Sequence, residues 1–244
     1  CKYASNSFLA TLISFSNELA DLCEQFSGTD VEIVIDSLVS DRRLSPRING
    51  NRISPDMLNY LRPGIGYGGS CLPKDVAALR HLAAVLGVKP KLLDAVHNVN
   101  EERAANLIEA AEAVAGGFDG RKVAVLGLAF KPDTDDVRES PGLKVVKLLI
   151  DKGADVVVYD PLVTNLANPI KKLTHSVSLV AALEEAHACI IATAWPEFAL
   201  HDWNNSLSGM AQPIVVDGRN ILSNVSKPAE MIYLPVGFRR SEKN

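Results

Sequence analysis

The apolar period of this chain changes once, at Gly116–Gly120 (GGFDG), and the change restricts which folds are open to it. Before the glycines, apolar residues recur at spacings of three and four. Phe8, Leu12, Phe15, Leu19, Leu22 and Phe26 predict one amphipathic helix over residues 2–26. Further helices are expected over 30–40, 73–87 and 90–115, with a loop-rich stretch from Ser40 to Pro63. After the glycines, short continuous apolar runs appear: KVAVLGLAF (122–130), VVVYDP (156–161), CIIATAW (189–195) and IVVDGRN (214–220). They read as buried strands, separated by helices expected over 139–152 and 177–186. Strand–helix alternation calls for a parallel sheet of doubly wound type. The expected fold is therefore α/β overall, an all-helical domain over 1–116 followed by a parallel α/β domain over 121–240. The last residues, RRSEKN, read as a frayed tail.

Bulk properties narrow the function. The 244 residues carry a net charge of −4, so no basic footprint for nucleic acid is present. No apolar run approaches the roughly 20 residues that a membrane-spanning helix needs. The four cysteines (Cys1, Cys23, Cys71, Cys189) form no C-x-x-C pair, and the five histidines show no metal-ligand spacing. Cys23 and Cys189 fall on apolar faces and read as core residues. A reducing, cytoplasmic setting and no metal are expected.

The segment GYGGSCLPKD (Gly66–Asp75) carries the strongest chemical signal. Its glycines permit close approach of the backbone to a ligand. Pro73 opens a helical pattern, so Cys71 is expected at or just before a helix N-terminus. There the unpaired N–H groups and the helix dipole favour a thiolate. The same pattern also fits a small apolar residue after a flexible turn. Asp75, four residues after Cys71, shares its side of the helix. It could orient a water or a lysine, or simply complement the dipole. Lys2 and Asn6, also four apart, share one face of the first helix. Lys131, Arg138, Arg219 and the arginines of 42–62 (Arg42, Arg43, Arg47, Arg52, Arg62) are candidate phosphate donors. The α/β half lacks the G-x-G-x-x-G turn of a dinucleotide site. It has GLAFKPD with a single glycine, Gly127, and a charged loop, Lys131–Glu139. Asp160, at the end of the second strand, could hold a ribose, but no independent NAD site is expected here.

Lys2-x-x-x-Asn6, GYGGSCLPKD and GLAFKPDTDDVRESP (Gly127–Pro141) occur in an order that resembles the UDP-glucose/GDP-mannose 6-dehydrogenase family across essentially the whole chain. The resemblance implies a helical central domain followed by a Rossmann-like nucleotide-sugar domain. It also implies oxidation of C6 of a nucleotide-activated hexose to a carboxylate, using two NAD. Cys71 would capture the C6 aldehyde as a thiohemiacetal and carry the later thioester. Lys2 would stabilise the oxyanion, Asn6 would hold the oxygen or a water, and Asp75 would orient or activate the water. Arg62, Gly64, Gly66, Tyr67 and Gly68 would line the sugar nucleotide, with Phe130, Lys131 and Arg219 from the second domain. Ser70, Lys74 and Arg138 would approach NAD, and Arg47 would reach across a homodimer built on the central helices. Two departures stand out: the 40–61 segment is longer than the family usually has, and the family's N-terminal NAD-binding domain is absent from this sequence. The chain alone is accordingly expected to be inactive. UDP-glucose is the expected substrate, with GDP-mannose or another UDP- or TDP-sugar as alternatives. A non-catalytic nucleotide-sugar-binding or dimerisation module is the alternative of another class.

Overall fold

In the computed structural model, residues 1–166 and 170–237 are described; the expected tail RRSEKN lies outside them. The chain divides into two compact units. Among the described residues, one comprises 1–66, 71–101 and 236–237; the other comprises 67–70, 102–166 and 170–235.

The first unit is helical. Helix α1 (Lys2–Cys23) buries Ser7, Ala10, Ser14, Ser16, Asn17, Ala20 and Cys23. The large apolar residues that predict this helix do not form its core-facing side. Phe8, Phe15, Leu22 and Phe26 are exposed, while Leu12 and Leu19 are half-buried. Small side chains on the opposite face let its neighbours in the unit approach closely. Helix α2 (Val31–Val39) starts at Asp30, whose carboxylate accepts the Glu32 N–H at 2.8 Å, and buries Val31 and Ile35. Residues 47–52, within the stretch expected to be loop-rich, form a small antiparallel hairpin, β1 (Arg47–Ile48) and β2 (Asn51–Arg52). Its turn is Asn49-Gly50, with φ of 52° and 80°, the left-handed pair that a two-residue hairpin loop requires. A 3-10 turn (Asp56–Tyr60) leads to the glycine-rich segment. Then come α3 (Leu72–Val85) and the long α4 (Lys91–Ala115), whose first turns belong to this unit. The chain returns here at its end: the Gly237 N–H donates to Glu24 Oε1 at 2.8 Å, and the Gly237 carbonyl accepts the Val31 N–H at 3.1 Å.

The second unit is a six-stranded, all-parallel sheet. Its strands are β3 (Lys122–Leu126), β4 (Asp155–Tyr159), β5 (Leu173–His175), β6 (Ala188–Ile191), β7 (Ile214–Asp217) and β8 (Ile232–Pro235). Their order, β5-β4-β3-β6-β7-β8, is the doubly wound order with its reversal between β3 and β6. The expected fold class holds: a helical part followed by a Rossmann-like sheet. Every residue of β6 and β7 is buried, as parallel strands covered on both faces require. Helix α5 (Pro141–Asp151) is capped by Ser140, whose hydroxyl accepts the Gly142 N–H at 3.1 Å and donates to the Leu128 carbonyl at 2.6 Å.

Several elements are shorter than the sequence patterns suggest. The strand expected to reach Phe130 stops at Leu126, because Gly127 turns at φ 98° with Thr193 packed where a Cβ would lie. The helix expected over 177–186 is α6 (Leu179–Leu183) alone, starting at the Ser178 cap. Helices α7 (Pro196–Leu200) and α8 (Trp203–Leu207), and strands β5 and β8, are too short for a periodic signal to reveal.

Candidate functional site

Cys71 is the N-cap residue of α3, with Pro73 in the first turn as expected from the sequence. Its side chain is exposed and in no disulfide. Its carbonyl accepts the Asp75 N–H at 2.9 Å, closing the first turn. Asp75 is fully buried, and its Oδ2 accepts a hydrogen bond from Asn6 Nδ2 at 2.6 Å. Oδ1 accepts no hydrogen bond among the described residues and lies 3.5 Å from Lys74 Nζ. Lys2, exposed, stands one turn before Asn6 on α1. A link between α1 and the first turn of α3 thus joins Asn6 and Asp75, flanked in sequence by Lys2 and Cys71. A buried carboxylate beside a helix-tip thiol is suited to holding a water or a proton at that thiol.

The run Gly64–Gly69 is wholly buried. In the first unit, Asn17 Oδ1 accepts the Gly64 N–H at 2.8 Å. A Cβ on Gly66, where φ is 97°, would lie 2.7 Å from Asn100 Oδ1. Asn17 on α1 and Asn100 on α4 are both buried, so two asparagines flank this loop. Neither was singled out in the sequence, since a mid-helix asparagine has the signature of a solvated polar residue. Arg62 is ion-paired at 3.0 Å to both Glu32 and Asp36 of α2. Arg47 lies exposed on the hairpin, directly opposite Arg52.

Within the second unit, the glycines serve packing. A Cβ on Gly68 would stand 2.2 Å from the Glu139 carbonyl oxygen, and one on Gly69 would stand 2.8 Å from the Phe130 ring. The Gly69 N–H donates to the Arg138 carbonyl at 2.9 Å. The Tyr67–Ser70 segment is therefore seated on the loop after β3. Lys131 Nζ stands 5.7 Å from the Phe130 ring centroid. The Arg138 guanidinium forks onto Asp136, with contacts of 2.7–3.1 Å, and these hydrogen bonds hold the Asp136 carboxyl below its ordinary pKa. Arg219, just past β7, donates through Nε to the Ala192 carbonyl at 2.9 Å. It therefore sits by the carboxyl end of β6, next to the reversal in strand order, where ligands of such sheets bind.

Asp160 is not placed as a ribose holder. Its carboxylate is buried and accepts the N–H groups of Leu128 (2.7 Å), Ala129 (3.0 Å), Leu162 and Val163 (both 2.9 Å), together with Trp195 Nε1 (3.3 Å). N–H groups at the end of the first strand are those that face a diphosphate in a dinucleotide site. Here a side chain takes them, so this turn does not fit NAD. Among the described residues, no group of three or more His, Cys, Asp or Glu is placed to hold a metal. Likewise, no described helix is long and apolar enough to cross a membrane.

Comparison with known proteins agrees with this division. Residues 1–102 match the central domain of the UDP-glucose/GDP-mannose dehydrogenase family, and residues 124–224 match that family's UDP binding domain. UDP-glucose 6-dehydrogenase TuaD of Bacillus subtilis is 38% identical over 97% of this chain and 49% of its own length. UDP-glucose 6-dehydrogenase AglM of Haloferax volcanii is 40% identical over 91% of this chain and 48% of its own length. Among solved structures, a UDP-glucose dehydrogenase from Pyrobaculum islandicum aligns with a TM-score of 0.82 at 38% identity, covering 97% of this chain and 50% of that one. The chain spans about half the length of the curated relatives it matches.

Proposed function

The chain belongs to the UDP-glucose/GDP-mannose dehydrogenase family, and from that premise we propose that it forms the thiol and substrate-binding portion of an NAD-dependent nucleotide-sugar 6-dehydrogenase. UDP-glucose is the proposed substrate and UDP-glucuronate the product, supported by the UDP-glucose 6-dehydrogenases among its relatives. The observation that carries the reading is the Asn6–Asp75 hydrogen bond beside the exposed Cys71 at the start of α3.

In this scheme Cys71 Sγ adds to the C6 aldehyde, giving a thiohemiacetal. Lys2 offers its ammonium to the oxygen that gains negative charge in that addition. After oxidation the same sulfur carries C6 as a thioester. Asp75, fixed by Asn6, orients the water that releases the carboxylate and returns the thiol. NAD, when bound, supplies the hydride acceptor for the two oxidations. Because the turn after β3 is closed by Asp160, the 244 residues by themselves are proposed not to hold NAD tightly and to be inactive alone. Ser70, Lys74 and Arg138 are proposed to approach the cofactor in the complete enzyme.

The sugar nucleotide is proposed to lie along Arg62–Gly68, with Phe130, Lys131 and Arg219 meeting it from the sheet. Residues 1–116 then form the catalytic and dimerising domain, and 121–240 the nucleotide-sugar domain. Cysteines held in no disulfide fit the proposed cytoplasmic setting. In the complete enzyme, Cys71→Ser is expected to lower sugar-acid formation by on the order of 10³-fold or more while sugar-nucleotide binding survives. Sugar-acid output at the parent rate would refute the role of Cys71.

A further inference from the structure

The carboxyl end of β7 carries a buried polar cluster with no counterpart in the chemistry above. Asp217 is fully buried. Its Oδ1 accepts the Arg219 N–H at 3.1 Å; its Oδ2 accepts the Leu222 N–H at 2.7 Å and the Tyr233 hydroxyl at 2.9 Å. The two backbone bonds tie both ends of the turn that follows β7 to one carboxylate. The third comes from the neighbouring strand. Val215 pairs with Tyr233 in the parallel register, and side chains two apart on a strand share a face, so the Tyr233 hydroxyl stands beside Asp217. Lys227 Nζ stands over the same ring, 4.5 Å from its centroid. Burial raises the Asp217 carboxyl pKa, and the hydrogen bonds it accepts oppose that rise.

Arg219 is held through both its backbone and its side chain. Its backbone is fixed by Asp217, and its Nε by the Ala192 carbonyl at the end of β6. Burial pulls its guanidinium pKa down to about 10, with the Asp217 charge working in the opposite direction. An arginine fixed in this way loses little rotamer freedom when it meets an anion, and such preorganisation tightens binding without adding a contact.

We propose that Asp217 and Tyr233 are positioning residues for Arg219, holding the turn that presents its guanidinium to the diphosphate of the sugar nucleotide. This rests on the reading of Arg219 as a substrate residue. Neither Asp217 nor Tyr233 touches substrate; both act through the turn, so their effect falls on substrate binding.

The test is steady-state kinetics of the complete enzyme with UDP-glucose and NAD, using Arg219→Ala, Tyr233→Phe and Arg219→Ala/Tyr233→Phe, with thermal unfolding of each. Arg219→Ala is expected to raise KM for UDP-glucose about 10–100-fold. Tyr233→Phe, which removes one hydroxyl, is expected to raise the same KM about 3–10-fold, leaving kcat and KM for NAD unchanged. The double variant is expected to match Arg219→Ala alone, because a positioning residue has nothing left to position. Asp217→Asn should repeat the Tyr233→Phe pattern more strongly; if it does not fold, Tyr233→Phe and the double variant decide. If Arg219→Ala raises KM while Tyr233→Phe only lowers the unfolding temperature, the positioning role is wrong and the Arg219 reading stands. Unchanged KM in Arg219→Ala overturns both.

Discussion

At the scale of single residues, Gly68 and Asn17 show how the glycine-rich segment is held. Gly68 has no room for a methyl group, since its Cβ would meet the Glu139 carbonyl at 2.2 Å. Gly68→Ala is expected to cost about 1–3 kcal/mol by overpacking. Gly50→Ala, where the surrounding space is open but φ is 80°, is expected to cost about 1–2 kcal/mol from backbone strain alone. Urea unfolding compares the two. A loss at Gly68 well below about 1 kcal/mol would contradict the packing account. Asn17→Ala leaves the buried Gly64 N–H without its 2.8 Å acceptor, at an expected cost of about 1–3 kcal/mol. Cys71 was readable in the sequence because proline and glycine mark a helix start whatever the tertiary setting. The purpose of Gly68 and Gly69 was not. Their signature is the same whether the missing Cβ makes way for a ligand or for another stretch of chain, and here Glu139 and Phe130 fill the space. Asp160 was misread for a similar reason: an acid at a strand end shows nothing of the five donors that surround it.

At the scale of elements, α1 carries two faces with one period. Its small face is buried. Phe8, Leu12, Phe15, Leu19 and Leu22, alternating at steps of four and three, form a half-buried to exposed seam of the kind helices use to pair. Periodicity therefore revealed the helix, though it ends at Cys23 and not at Phe26, and did not reveal which face the core takes. The seam supports the proposed homodimer through the central helices. Phe15→Glu/Leu22→Glu is expected to weaken self-association at least tenfold by sedimentation equilibrium with the unfolding midpoint retained; an unaltered dimer would exclude α1 from the interface. Strand boundaries were blurred by the same insensitivity. The apolar run 122–130 does not distinguish residues within β3 from Leu128 and Ala129, whose N–H groups leave the ladder for Asp160.

Across the whole molecule, the doubly wound order followed from the strand–helix alternation, whereas the edge strands β5 and β8 had no signal of their own. Two of the partly buried histidines set an acid limit for the fold. Burial holds His175 and His201 below the ordinary imidazole pKa, and His201 also shares a 2.7 Å hydrogen bond with Ser206. In the window below about 6.5, the unfolded chain binds more protons than the folded one. Stability is therefore expected to be full above that value and to fall as pH drops through the window. Urea midpoints at pH 7.5 and pH 5 measure the fall, and His201→Gln should shrink it. An undiminished slope in that variant would remove His201 from the account.

The return of Gly237 to the junction of α1 and α2 bears on the order in which the chain acquires its structure. The Glu24–Gly237 hydrogen bond spans 213 residues, so the helical unit makes this contact only after every strand of the sheet has been synthesised. A nascent chain emerging from a ribosome holds α1, α2 and α3 with this corner unclasped until the sheet strands have been made. The helical unit, though it precedes the sheet in this sequence, is thus the one whose closure waits for residues beyond the last sheet strand.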